Sequence, residues 1–212
     1  DLETLTVNYN DGVAPASSPR LVEGTGEDAA VIEISDAATY TFPDAALLSV
    51  SYKVFTVNNT GGVAATSLSG PTLADPSFEY RGGGYPGLGG TCTNNLPASG
   101  TCSLVVKFSP VTTGTQNQTI TLNYNNGVIP TLSTRPMQGD GFNPAILSIA
   151  GPDPYPFGDQ PVGVRVTHTF VVSNSGGFAA SSINVADFDL PFDFELAAGY
   201  PGDTGTCTAT LA

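Results

Sequence analysis

The chain has no tryptophan, one histidine, one methionine and six basic residues. Each shortage removes a class of function. Any histidine-based triad would have to use His168, which sits inside VRVTHTFVV at a position where an internal repeat of the chain carries Lys53. That setting reads as an exposed strand residue, and no GxSxG nucleophile elbow accompanies it. Six basic residues against 19 acidic ones leave a formal net charge of −13. Such a surface repels phosphates and anionic headgroups, so nucleic acid is not an expected partner. No apolar run approaches the roughly 20 residues that span a bilayer, so direct membrane insertion is not expected either. Charged residues make up 12% of the chain, about half the usual share. Helical heptads are absent. No basic n-region precedes an apolar stretch and the chain starts at Asp1, so a signal peptide is expected to have been removed or to lie far upstream.

What is abundant is punctuation. Seventeen prolines and 25 glycines interrupt 212 residues at short intervals, which favours many short strands. The strongest signal is internal. TLTVNYNDGV begins at Thr4 and TITLNYNNGV at Thr119, an offset of 115 residues. At that offset FTVNNTGG (55–62) meets FVVSNSGG (170–177), GYPG (84–87) meets GYPG (199–202) and GTCT (90–93) meets GTCT (205–208), without a gap. About a third of the overlapping positions are identical, and a period this long suits a whole domain rather than a solenoid unit. The expected organisation is residues 1–26 as the closing strands of one repeat, 27–141 as a complete repeat, and 142–212 as the start of another.

Within the repeat, Ile120, Leu122 and Tyr124 alternate with polar residues, the period of a half-buried strand, and Leu5, Val7 and Tyr9 repeat that pattern. SLVVKF (103–108) reads as a strand, and Phe55 and Val57 head toward a core. The Gly-Gly pairs at 61–62 and 176–177 are expected to supply the positive φ of a tight hairpin, as is the glycine of NYNNG and NYNDG. Tyr-Pro-Gly at 85–87 predicts a type II turn. Seven or so strands in about 115 residues predict an all-β fold of tandem immunoglobulin-like β-sandwiches.

Three cysteines remain to be paired. Cys92 and Cys102 flank a Pro/Gly-containing link, and a disulfide there would close a short loop, worth about 3 kcal/mol in the chain-entropy model. Zinc is the competing use, opposed by the single histidine and the lack of CxxC. Cys207 repeats Cys92 and stays a free thiol, because its counterpart to Cys102 lies beyond Ala212. RGGGYPGLGG (81–90) superficially suggests a phosphate loop but lacks the Gly-Lys-Ser/Thr ending, so an ordinary loop is expected. Asp187, Asp189 and Asp193 could gather calcium, although their spacing fits no EF-hand and a solvated acidic loop is preferred. Asp44 and Asp159 recur after an aromatic residue and suggest turn or capping roles. Lys53 and Lys107 could in principle crosslink to asparagine, but snorkelling surface lysines are expected. No catalytic residue, cofactor or metal is expected, and the chain does not read as an enzyme.

FTVNNTGG, the cysteine pair, GTCSLVVKFSPVTTG and the closing GDG together resemble the choice-of-anchor D repeats of large bacterial secreted proteins. Those are similar in turn to the ASH/HYDIN group of immunoglobulin-like domains. The resemblance implies an extracellular or cell-surface, multi-domain structural or adhesive protein and transfers no catalytic residue. Its expected partners are other copies of itself or adjacent repeats of the same polypeptide. Residues equivalent to 98–115 are lacking from the last repeat, while 1–26 is strand-forming sequence without a domain. Two expectations follow: Leu5, Val7 and Tyr9 form an assembly strand that joins copies head to tail, or adjoining repeats of one longer chain complete both ends. The alternative function is an adhesin or glycan-binding module that uses loops at one end of the sandwich.

Overall fold

A computed structural model describes all residues except 37, 187, 190 and 195–198. Its first element is a free-standing hairpin, β1 (Leu2–Asn10) and β2 (Pro15–Glu23). Nine antiparallel pairs run from Leu2 opposite Glu23 to Asn10 opposite Pro15. The turn forms as NYNDG predicts. Gly12 takes φ +98°, Asn10 Oδ1 accepts from Gly12 N, and Asp11 Oδ1 accepts from Val13 N and Ala14 N at 2.8 Å each. Those two backbone donors hold the Asp11 carboxyl below its ordinary range.

The sandwich follows. Its strands are β3 (Ile32–Ile34), β4 (Tyr40–Thr41), β5 (Ala45–Ala46), β6 (Ser51–Asn59), β7 (Ala65–Ser69), β8 (Phe78–Tyr80), β9 (Asn95–Leu96), β10 (Thr101–Phe108), β11 (Gly114–Asn125) and β12 (Pro130–Phe142). One sheet has the order β3-β6-β10-β8, and the other β4-β12-β11-β7-β9 with β5 also on β12. Lettered A to G along the chain, β3, β6, β7, β8, β10, β11 and β12 fall as A-B-E-D in one sheet and G-F-C in the other. That is the immunoglobulin arrangement. The parallel pairing of β4 and β5 with β12 moves the first strand's continuation across to the second sheet.

Alternation builds the core. Ile120, Leu122 and Tyr124 of β11 point inward, as do Phe55 and Val57 of β6 and Leu104, Val106 and Phe108 of β10. Phe42, Phe78 and Phe108 form a cluster with ring centroids 4.9 to 5.8 Å apart. Gly139 makes room for it: a Cβ there would lie 2.6 Å from a ring carbon of Phe108. Tyr80 and Tyr85 meet edge to face at 5.7 Å, and burial first of all pushes both phenols up to about 12.

Two turn expectations need correction. Gly84 O accepts from Gly87 N at 2.8 Å across a cis Tyr85–Pro86 bond, so Tyr85 and Pro86 occupy the central positions of a type VI turn, not a type II turn. Tyr200–Pro201 repeats the arrangement, with Gly202 N donating to Gly199 O. The Gly-Gly pairs are not positive-φ residues at all. A Cβ on Gly61 would collide with the backbone of Ala29 and Ala30, and one on Gly176 with Pro144 and Ala145. These glycines therefore permit close backbone approach rather than a special torsion.

RGGGYPGLGG is a loop folded on its own backbone bonds and tied to the sheet edge. Arg81 N donates to Val105 O at 2.9 Å, Val105 N to Pro86 O at 2.8 Å and Thr91 N to Ser103 O at 2.8 Å. It thereby covers the stretch of β10 that β8 leaves unpaired, a device that protects an open edge. Gly87 and Gly90, both repeated at 202 and 205, are crowded by the oxygens of Val105, Pro86 and Ser103. Gly83 and Gly89, which do not repeat, have no atom within 4 Å of a built Cβ.

Beyond the sandwich lie four short strands, β13 (Leu147–Ile149), β14 (Val172–Asn174), β15 (Ala180–Ser181) and β16 (Thr210–Leu211), paired β13-β14 and β15-β16. The long strand expected over VRVTHTFVV forms only from Val172 onward. Its counterpart β6 pairs with β10 over eight residues, and no strand stands beside 164–171 among the described residues. No helix of the described chain is long and apolar enough to cross a membrane.

Candidate assembly site

Two uncovered surfaces share one geometry. The hairpin β1-β2 has the register of β11-β12: Leu2 faces Glu23 as Asn117 faces Gln138, and Asn10 faces Pro15 as Asn125 faces Pro130. The turn bonds match too, since Asn125 Oδ1 accepts from Gly127 N and Asn126 Oδ1 from Val128 N and Ile129 N. Only the covering differs. Ile120, Leu122 and Tyr124 are 0%, 0% and 7% exposed, while Leu5, Val7 and Tyr9 are 59%, 55% and 51% exposed. Opposite Glu3, Val22 stands where Met137 is buried, and it too is exposed.

The second surface is on 142–212. Pairing of β13 with β14 copies that of β3 with β6, from Leu147 opposite Asn174 as Ile32 is opposite Asn59. Pairing of β15 with β16 copies that of β7 with β9. Ile149 is 66% exposed where Ile34 is 3%, and Phe170 is 40% exposed where Phe55 is 0%. Apolar side chains in the positions of a core are thus exposed in this segment.

The sandwich and the 142–212 surface are each built on a polar residue the sequence did not single out. Asn59 is 1% exposed and accepts from Val31 N (3.2 Å) and Gly61 N (3.1 Å). Its amide donates to Val63 O (2.8 Å), Leu96 O (3.1 Å) and Pro97 O (3.0 Å). The side chain ties the lead-in to β3, the β6-β7 turn and β9 into one corner. Asn174 does the same with Ile146 N, Gly176 N, Phe178 O and Leu211 O. The only trace in the sequence is the recurrence of Asn two residues before Gly.

The other sequence candidates fall as follows. Cys92 and Cys102 are disulfide-bonded with Cα atoms 4.8 Å apart, and Cys207 is a free thiol. Under denaturing, non-reducing conditions one alkyl group per chain is expected by mass, and three after reduction; three before reduction would overturn the pairing. His168 is exposed but lies outside any strand; it stacks on Tyr155 at 4.0 Å, with the phenol oxygen 2.9 Å from Nδ1. Its repeat partner Lys53 sits 4.5 Å above Tyr40 and 2.8 Å from Asp36 Oδ1, and Lys107 lies 2.5 Å from Glu79 Oε1. Both lysines are therefore ion-paired rather than set against an asparagine. Asp193 faces Arg165 at 3.4 Å, and Asp187 lies outside the described residues. Asp44 and Asp159 are both exposed.

No family model matches the chain, and no curated protein matches it. Among solved structures it is similar to the ASH / PapD-like domain of human CEP192 (PapD-like domain 7), with a TM-score of 0.43 and 16% identity over 59% of this chain and 95% of that one. The Vibrio cholerae VesB protease aligns with a TM-score of 0.36 and 14% identity, over 51% of this chain and 31% of that one. The immunoglobulin strand order stands on the pairing within the chain itself: the protein is an all-β sandwich of immunoglobulin type, closed by one short disulfide.

Proposed function

We propose that the chain is a structural segment of a secreted bacterial surface protein, a stalk or extracellular fibre built of immunoglobulin-like sandwiches that recur every 115 residues. The observation that carries this reading is the recurrence, in unchanged register, of three strand pairings and of the asparagine corner at that offset. A sequence repeat that preserves register preserves a domain, and a row of domains spaces whatever it carries. The resemblance to choice-of-anchor D repeats supports the same reading. A disulfide fits an oxidising, extracellular setting. The glycine-rich loop spends its amides largely on itself, at Gly87, Leu88 and Gly90, and on Val105 of β10 through Arg81, which favours a structural use over glycan binding by that loop.

The test is excision. Residues 27–141 contain the sandwich core and are expected to fold alone, with a β-type circular dichroism spectrum and a single cooperative transition. An unstructured fragment would remove the domain boundaries and, with them, the array.

A further inference from the structure

We propose that the outer face of the β3-β6-β10-β8 sheet docks a segment of a partner protein that carries one carboxylate among aliphatic side chains, and that Arg81 receives the carboxylate. The inference needs the sandwich alone and not the array.

Phe55 and Val57 turn one side of β6 to the core, so Tyr52 and Val54 stand on the other, 53% and 55% exposed. Opposite Val54, Val105 points outward between the inward Leu104 and Val106 and is 4% exposed, an apolar floor for the face. Leu88, on the loop beside β10, is 68% exposed. A sheet face turned to water is ordinarily polar. The sequence 115 residues on has that ordinary character: Thr167, Thr169 and Asp203 stand in the places of Tyr52, Val54 and Leu88. Over the same stretch the core positions Phe55 and Val57 are matched by Phe170 and Val172. The repeat therefore keeps what the core uses and does not call for apolar residues on this face.

Arg81 is the one cation set into the patch without an acid. Its main chain is fixed at both ends, N donating to Val105 O at 2.9 Å and O accepting from Leu88 N at 2.6 Å. Its side chain crosses β10 from the β8 side to β6, where the guanidinium lies 4.8 Å from the Tyr52 ring centroid. Glu79, two residues before it, is held by Lys107. Among the described residues Lys53 and Arg165 also have carboxylate partners, and Arg81 has none. Stacking engages the flat of a guanidinium and leaves its N–H fork for a carboxylate, which it meets with two parallel bonds.

The surroundings select the occupant. A chain of net charge −13 repels a polyanion, so the partner brings a single carboxylate rather than an acidic run. A sugar acid would bring hydroxyls as well, and the polar side chains of this face are already engaged with one another. Thr91 Oγ1 and Ser103 Oγ lie 3.2 Å apart, and Thr101 donates to Asn58 Oδ1 at 3.0 Å. Hydroxyls set against Val54, Val105 and Leu88 would be left unpaired, whereas aliphatic side chains would be buried there.

The test titrates the isotope-labelled full chain with the peptide acetyl-Leu-Val-Asp-Val-Leu-amide at millimolar concentration, read by amide chemical shifts. The shifts should cluster at Tyr52, Val54, Arg81 and Leu88. Asparagine in place of the peptide's aspartate should bind about tenfold more weakly or worse, and so should the native peptide to Arg81→Gln, because each removes a charge-assisted pair. Arg81→Gln should leave the thermal transition by circular dichroism unmoved, since Arg81 is exposed. Silence at these four residues, equal binding of the asparagine peptide, or unchanged affinity in Arg81→Gln would each overturn the proposal. So would shifts at the same residues with glucuronic acid and not with the peptide, which would make the face a sugar site. A dimer in sedimentation that Arg81→Gln abolishes would overturn it in favour of a second copy.

Discussion

Asn59→Ala is expected to destabilise the sandwich by about 3 to 5 kcal/mol, measured as a fall in the denaturation midpoint with little change in slope. The size follows from what the side chain serves. It lies 1% exposed and meets five backbone groups drawn from three separate elements. Removing it leaves two donors and three acceptors in a corner where water does not replace them freely. Each abandoned group costs about 1 to 3 kcal/mol, and relaxation of the turn recovers part of the total. Asn59→Asp is the informative companion. It keeps the acceptor for Val31 N and Gly61 N but presents a carboxylate to the carbonyls of Val63, Leu96 and Pro97. It should therefore be at least as damaging as alanine near neutral pH. A loss below about 1 kcal/mol for Asn59→Ala would mean the corner is held by its strands and not by the side chain.

That corner also marks where sequence reading ends. Alternation alone located the inward face of β11, because period two is a property of the strand and needs no knowledge of its neighbours. NYNNG and NYNDG were legible for a similar reason: the glycine torsion and the asparagine or aspartate caps are all contained in five residues. The pairing of Cys92 with Cys102 depended only on a short separation. Asn59 was not legible, since four of its partners lie 4, 28, 37 and 38 residues away. Nothing local distinguishes a buried asparagine that bridges three elements from one that caps a turn. The loop over β10 failed for the same reason. Its composition says turn, whereas its role as an edge cover exists only once β8 is seen to pair with Val106 to Phe108 and no further. The alternation of Leu5, Val7 and Tyr9 was legible as a pattern, but the register their hairpin shares with β11-β12 required strand pairings from two parts of the chain.

The misreading of the Gly-Gly pairs leads to the second large effect. If Gly61 served a positive φ, alanine there would cost about 1 to 2 kcal/mol, as a strained torsion does. Gly61 has no such torsion, and the obstacle is backbone. A Cβ would lie 2.6 Å from Ala30 Cα and closer still to the Ala29 carbonyl oxygen, and neither is the tip of a flexible side chain that can swing away. Gly61→Ala must push the segment before β3 outward. That segment carries Ala30 N to Asn126 O (2.9 Å), Thr60 N to Val31 O (2.8 Å) and Gly62 N to Asp28 O (3.0 Å). It also leads into Ile32 and Ile34, which line the core. The expected loss is about 3 kcal/mol, at the upper end for overpacking, because it couples displaced backbone bonds to a loosened strand. Gly12→Ala is the control: φ is +98° there, and no atom lies within 4 Å of a built Cβ. It should strain the exposed hairpin turn and leave the sandwich transition unmoved. Equal effects at the two positions would restore the torsional reading. A much larger effect at Gly61 assigns the first glycine of the repeated pair to the close passage of the segment that leads into β3.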